Sequence, residues 1–236
     1  MPRTLDPAAH ALRRDAFLDA AQRLITARGY EQMSLQDVLD ELGASRGAFY
    51  HYFDSKAALL EAVIERMGDA GMAIFDPIAA DPDRSALQKL EAVFSGLAAW
   101  KAQRRELLIE IMQVWFSDEN VMVREKLRRT VATRLGPVLA RIIRQGQSEG
   151  TIAATSADHT AIVLASLIQG ANETASRLFV ARMAGDVTFE EVRRTLAAYA
   201  EAFEHILGLV PGSWPAVDEA TLHYWFGSDT QRSDDT

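Results

Sequence analysis

The 236-residue sequence contains no cysteine, so it holds no disulfide framework, no thiolate zinc site and no cysteine nucleophile. It also lacks any run near the ~20 apolar residues that a membrane-spanning helix needs. The longest candidate, Ala161 to Ile168, is interrupted by Ser166 and ends at Gln169. The amino terminus, Met1-Pro2-Arg3-Thr4-Leu5-Asp6, has no apolar stretch behind its basic residue and does not read as a secretory signal. A cytoplasmic protein is expected. No Val/Ile/Thr-rich segment alternates with period two for long enough to suggest a sheet. The five histidines, His10, His51, His159, His205 and His223, have no i,i+4 partner and no HExxH context, so neither a metal site nor a cofactor is expected.

Positive charge is scarce as well. Lys and Arg number 25 against 33 Asp and Glu, a net charge of −8, which for the chain as a whole argues against a partner as anionic as DNA. The deficit is uneven: residues 1–66 carry 8 basic and 10 acidic side chains, and the remainder 17 and 23. Charge acts over a Debye length of roughly 8 Å, so the local surface decides. Between Gly43 and Lys56 the balance turns positive, with Arg46 and Lys56 against Asp54 alone.

What is present is helical periodicity. With 48% hydrophobic residues, apolar positions recur at i, i+3 and i+4 almost everywhere, and the fold class read from this is all-α. A first helix is expected over 7–28, with Leu12, Ala16, Phe17, Ala20, Leu24 and Ile25 on one face and Gly29 as a left-handed stop. A second starts at Ser34, where Ser34 and Asp37 have capping-box spacing and Met33 and Val38 a hydrophobic staple; it ends at Leu42-Gly43. A third covers 45–53, and Asp54 or Ser55 caps a fourth to about Met72. Pro77 and Asp81-Pro82-Asp83 mark a break. Longer helices are expected at 84–101, 103–117, 120–147, 156–182 and 188–207, with Gly136-Pro137 kinking or splitting the third of these. The last is bounded by a Thr188/Glu191 capping box and Gly208.

Two short helices joined at Gly43, the second opening on Ser45-Arg46, have the shape of a helix-turn-helix. They pack through Val38, Leu39, Leu42, Ala48 and Phe49, which leaves Ser45, Arg46, Tyr50 and His51 on the outer side. Arg46 can pair bidentately with guanine, and Ser45, Tyr50, His51 and Lys56 can donate to phosphates. The run Phe49-Tyr50-His51-Tyr52-Phe53 places more rings on a short helix than one buried face absorbs, which argues against mere surface decoration. Gly43-Ala44-Ser45-Arg46-Gly47 also satisfies G-x-S-x-G, the hydrolase nucleophile elbow, but that turn needs a buried strand before the serine. Leu35 to Gly43 instead carries polar residues at helical spacing.

At these residues the chain resembles the DNA-binding domain of TetR-family transcriptional regulators. The resemblance covers about residues 10 to 66: Gly29-Tyr30 closes the first helix, Ser34 opens the second, and Leu42-Gly43-Ala44-Ser45-Arg46-Gly47-Ala48-Phe49-Tyr50-His51-Tyr52-Phe53 continues into Asp54-Ser55-Lys56 without a gap. It implies an N-terminal arm (1–9), a DNA-binding domain (10–66, with the helix-turn-helix at 34–53), a helical ligand-binding and dimerisation domain (67–210) and an extension (211–236). It further implies that Ser34, Tyr50, His51 and Lys56 hold phosphates while Ser45, Arg46 and Gly47 face bases. Tyr52 stands where the family most often has His and His51 where Tyr is frequent, so which ring meets phosphate stays open. The partners implied are operator DNA, a small-molecule inducer and a second copy of the chain, with the protein acting as a repressor rather than an enzyme.

In the carboxy-terminal part the 103–117 helix is apolar on most sides, with Glu106, Glu110 and Gln113 as one polar stripe. The stripe either faces water or enters a cavity where polar groups among aromatics orient a ligand. In the cavity reading the candidates are Phe94, Trp100, Glu110, Met112, Gln113, Trp115 and Phe116, with Asn172 at the edge. Small residues on the last two long helices, such as Ala161, Ala165, Gly170 and Ala171 in one and Ala197, Ala198 and Ala202 in the other, permit close helix approach and a four-helix interface. Trp214 to Phe226 is aromatic-rich and is expected to form a short packed helix.

Overall fold

The computed structural model describes residues 6–213 and 219–227. Among them the regular elements are all helical: α1 Pro7–Arg28, α2 Leu35–Leu42, α3 Arg46–Tyr50, α4 Lys56–Met72, α5 Phe75–Ala80, α6 Ala86–Ala102, α7 Arg105–Trp115, α8 Val121–Glu149, α9 Ala157–Ala184, α10 Phe189–Leu207 and α11 Glu219–Phe226. The all-α fold class therefore stands. The residues form two units, one of 6–71 with 97–127 and one of 72–96 with the described residues from 128 onward.

In the first unit, α1 to α4 surround a core of Phe17, Leu18, Ile25, Val38, Phe49, Leu59, Leu60 and Val63, each at most 3% exposed. Leu107, Ile111 and Val114 of α7 and Val123 of α8 belong to the same core, and Trp100 and Trp115 cover it. The apolar periodicity of α7 announced burial without naming the partner; the partner is the N-terminal helices, chiefly α1. Gly29 ends α1 with φ 81° and ψ 156°, outside the left-handed helical basin expected there and in a region open essentially to glycine alone. A Cβ on it would stand 2.8 Å from Glu110 Oε2.

The second unit pairs α9 with α10 over the most extensive helix contact. Thr174 and Tyr199 hydroxyls meet at 2.9 Å between these helices, and Phe94 of α6 meets Phe203 of α10 edge-on at 5.5 Å. The buried Lys89 of α6 donates to the Ala79 carbonyl of α5 and the Gln145 side chain of α8, at 3.1 and 2.7 Å. These bonds satisfy a cation that would otherwise be costly to bury. The expected C-terminal helix is present from Glu219: Phe226 packs on Phe179 of α9, and the His223 ring stacks on Phe189 of α10 at 4.2 Å. Trp214 lies outside the described residues.

Three expectations need correcting. Pro77 does not mark a break but sits third in α5, where its missing N–H costs no intrahelical bond; Phe75 and Ala79 bury the inner face. Gly136-Pro137 does not split α8, because Leu135, Val138, Leu139, Ile142 and Ile143 on both sides are buried and tertiary packing outweighs the lost hydrogen bond. Finally, α3 is shorter than 45–53. It ends at Tyr50 in a turn where the Tyr52 and Phe53 N–H groups both donate to the Phe49 carbonyl, at 2.9 and 3.0 Å.

Candidate nucleic-acid interface

The turn between α2 and α3 is built by local chemistry. The Ser34 hydroxyl accepts from the Asp37 N–H at 3.1 Å, and the Asp37 carboxylate accepts from the Ser34 N–H and hydroxyl at 2.8 and 2.6 Å, a reciprocal box that starts α2. Gly43 ends the helix in the left-handed region at φ 55°. Ser45 then caps α3, its Oγ accepting from the Ala48 N–H at 3.2 Å. Arg23–Glu41 and Arg28–Asp37 pairs, at 2.7 and 3.1 Å, fix α2 against α1. The strand required by a nucleophile elbow is not what precedes Ser45: α2 occupies that place.

Phe49 is the single fully buried residue of α3. It meets Phe17 at 5.7 Å and Phe53 at 5.6 Å, which turns the opposite side of the helix outward. Ser45, Arg46, Gly47, Tyr50 and His51 are all exposed, so five of the seven sequence candidates come together on one face. Arg46 is the first helical residue, and among the described residues it has no hydrogen-bond or ion-pair partner. A Cβ on Gly47 would meet nothing nearer than Ser45 Oγ at 3.9 Å. The fold therefore does not demand glycine at Gly47, whereas a nucleic-acid backbone or base edge approaching closely would.

The remaining two candidates flank that face and are already engaged. Ser34 is exposed, but its hydroxyl serves the capping box. Lys56 is half-buried at the start of α4, with Nζ 4.2 Å from the Tyr30 ring centroid and 3.4 Å from the Glu31 carbonyl. Three ammonium protons leave it capacity for a further acceptor. The two rings left open as phosphate contacts, His51 and Tyr52, differ in burial. Tyr52 is half-buried against His10 and Phe17, at 4.6 and 5.7 Å, while His51 is exposed. His10 is a neighbour that sequence reading missed, since 41 residues separate it from His51 and no local pattern joins them.

Hydrogen bonds from the Ser34 hydroxyl and N–H hold the Asp37 carboxyl below its ordinary value of 3.8. A group whose folded pKa is depressed stabilises the fold above its unfolded pKa, and that contribution disappears as pH falls through the folded value. Ser34→Ala, which removes the hydroxyl that caps α2 and bonds the Asp37 carboxylate, is expected to lower stability at pH 7. In urea unfolding repeated at pH 3, the difference from wild type should shrink. A difference independent of pH would mean that the box does not work through the Asp37 carboxylate.

The ligand candidates divide between the units. Trp100, Glu110, Met112, Gln113, Trp115 and Phe116 belong to the first, and Phe94 and Asn172 to the second. Gln113 and Glu106 are exposed, whereas Glu110 is half-buried with its carboxylate against Gly29. The Arg104 guanidinium lies 4.6 Å from the Trp100 ring centroid. An open polar depression lined by Asp83, Arg84, Gln88, Glu91, Ala92 and Ser95 contains none of the eight.

The bacterial regulatory proteins of the tetR family match this chain over residues 17–63. The nucleoid occlusion factor SlmA of Vibrio vulnificus is 30% identical over 142 residues, which cover 58% of this chain and 71% of that protein. The chain belongs to the TetR family. The transcriptional regulator EthR of Mycolicibacterium smegmatis is 27% identical over 144 residues, 54% of this chain and 66% of its own length. A solved transcriptional regulator from Cytophaga hutchinsonii, at 17% identity and a TM-score of 0.51, covers 68% of this chain and 80% of that one and shares its fold. As a TetR-family member the protein is a DNA-binding transcriptional regulator. No helix among its described residues is long and apolar enough to cross a membrane.

Proposed function

We propose that the protein is a cytoplasmic, ligand-responsive repressor that grips a pseudo-palindromic operator as a homodimer. The observation that carries this reading is the exposed face of α3, where an unpartnered Arg46 at the helix start stands beside Gly47, Tyr50 and His51. One such helix reads one half-site, so a symmetric operator calls for two copies. The α9 surface supports a self-contact: Ile162, Val163, Val180 and Met183 are 62, 52, 39 and 73% exposed. Ile162, Ser166, Gln169, Glu173, Ser176, Val180 and Met183 follow one another at alternating spacings of four and three along one face of α9, the pattern of a helix-packing seam. The Ala197–Ala198 stretch of α10 gives a partner helix room to approach.

In this reading the DNA-binding domain corresponds to residues 10–66, the regulatory and dimerisation helices to 67–210 and the extension to 211–236. α7 is the element suited to carry a ligand signal. Leu107, Ile111 and Val114 share the core of α1 to α4, Trp100 and Trp115 pack against it, and Met112 and Phe116 are half-buried. A small apolar molecule bound against these side chains with polar contacts to Glu110 or Gln113 would shift α7. It would then bias the two recognition helices away from operator spacing, provided it binds the two states with different affinity.

Selection of bound fragments from the source genome, followed by footprinting and mass measurement of the complex, tests this. The expected result is two protected half-sites, their centres about one helical turn (~10 bp) or a multiple apart, on a complex holding an even number of chains. A single asymmetric half-site occupied by one chain would overturn the homodimer.

A further inference from the structure

The family resemblance leaves His10 without a role, and the structure brings it to the edge of the reading face. Its ring centroid lies 5.4 Å from that of His51, with the planes at 77°. Tyr52 holds both rings, at 4.6 Å from His10 and 5.1 Å from His51, and is itself half-buried against Phe17. His10 is fixed on α1, its N–H bonded to the Asp6 carbonyl at 2.9 Å, and His51 ends α3 with its N–H on the Gly47 carbonyl at 3.2 Å. Among the described residues neither imidazole has a hydrogen-bond or ion-pair partner. Two polar rings are thus held in fixed relation, their hydrogen-bonding capacity unused, next to the face that carries Arg46 and Tyr50.

We infer that His10 and His51 form a paired imidazole site at which both rings donate to one DNA backbone phosphate lying across their outer edge, and which binds it more tightly as the rings protonate. A phosphate offers several acceptor oxygens, and a protonated imidazole donates from both nitrogens. Two imidazolium groups this close repel one another, and an anion bound by both offsets the repulsion, so protonation and phosphate binding reinforce each other. The surrounding charges fit an anion rather than a cation. At the start of α1, the capping Asp6 already accepts from the Ala8 N–H. Arg13 and Arg14 stand over Phe17 and Phe53, at 5.8 and 5.4 Å from the ring centroids. On the α3 side the segment from Gly43 to Lys56 carries Arg46 and Lys56 against Asp54 alone, and the Tyr52 ring packs on both imidazoles. Imidazole changes charge between pH 5 and 8, which places the effect in an accessible range.

This inference rests on the DNA-binding reading and deepens it. The test is the affinity of the full chain for a selected operator duplex from pH 8 to 5.5 at constant ionic strength. It is made for wild type, His10→Phe, His10→Gln and His51→Phe, each checked for cooperative unfolding at both ends of the range. Wild type should bind roughly tenfold more tightly at pH 5.5 than at pH 8, across the range in which imidazole takes up a proton. Each variant should lose most of that rise. His10→Phe keeps a ring on Tyr52 without a titrating proton, so its loss reports protonation rather than packing. A rise equally steep in all variants, or a weakening by the same factor at every pH, would overturn the paired site while leaving DNA binding intact. No duplex affinity at any pH would overturn the DNA-binding reading itself.

Discussion

Phe49→Ala is expected to destabilise the first unit by about 3–5 kcal/mol, the range for removing a fully buried phenylalanine. Phe49 is 0% exposed, and its ring makes edge contacts with Phe17 and Tyr50 at 5.7 and 5.5 Å, each pair adding to the burial term. Because α3 has only five residues, it has no independent stability and depends on this one side chain for its position. Domain stabilities are of order 5–15 kcal/mol, so the variant should lose a large fraction of its stability and unfold at a clearly lower urea concentration, with operator binding lost wherever the first unit unfolds. Trp100 and Trp115 cover the same core, so their fluorescence in a urea titration reports the transition. A cost below ~1 kcal/mol would mean that Phe49 does not anchor α3.

Arg46→Ala should leave stability unchanged and cost about 1–3 kcal/mol of operator affinity, roughly 5- to 150-fold, with the loss largest at the base pair it reads. The side chain is exposed and unpartnered at the first turn of α3. It therefore holds nothing together in the free protein, and the amino-terminal residues of a recognition helix are those that reach base edges. Lys56→Ala is the informative contrast. It should weaken all sequences alike and lower the slope of affinity against salt by about one. Its ring contact with Tyr30 adds a small structural cost. Equal loss on operator and random duplex in Arg46→Ala would remove the base-reading role. With so few cations on the face, a salt slope equivalent to ten or more phosphates per protomer would contradict the whole electrostatic account.

The N-terminal elements were legible in sequence because their boundaries are set locally. Ser34 and Asp37, Ser45, Gly43 and the Thr188/Glu191 box each act within four residues, and the structure forms each of them. Packing partners were not legible. Residues at i and i+4 show that α7 buries a face, but whether α1 or a ligand cavity covers it depends on contacts some 90 residues away in sequence. Pro137 misled for a related reason: its local cost is visible in the sequence, whereas the buried neighbours that outweigh it are not; Pro77 misled because its place in the first turn of α5, where no intrahelical bond is lost, depends on where that helix starts. At the interface, exposure of Arg46, Tyr50 and His51 followed from helical phase. The contact between His10 and His51 and the stacking of Lys56 on Tyr30 arise only when α1 folds against the turn after α3.

The net charge of −8 does not decide the question of DNA, because the acidic excess lies mainly beyond residue 66 while the α3 face is locally cationic. What decides it most directly is whether α3 reads the major groove through Arg46. Methylation interference on a selected operator measures this, since a methyl group on guanine N7 blocks the acceptor that an arginine fork uses. The expected result is loss of binding on methylation of a guanine in each half-site, and loss of that sensitivity in Arg46→Ala. Binding by the wild-type protein that is indifferent to N7 methylation throughout the protected region, with interference only from minor-groove adenines, would contradict it.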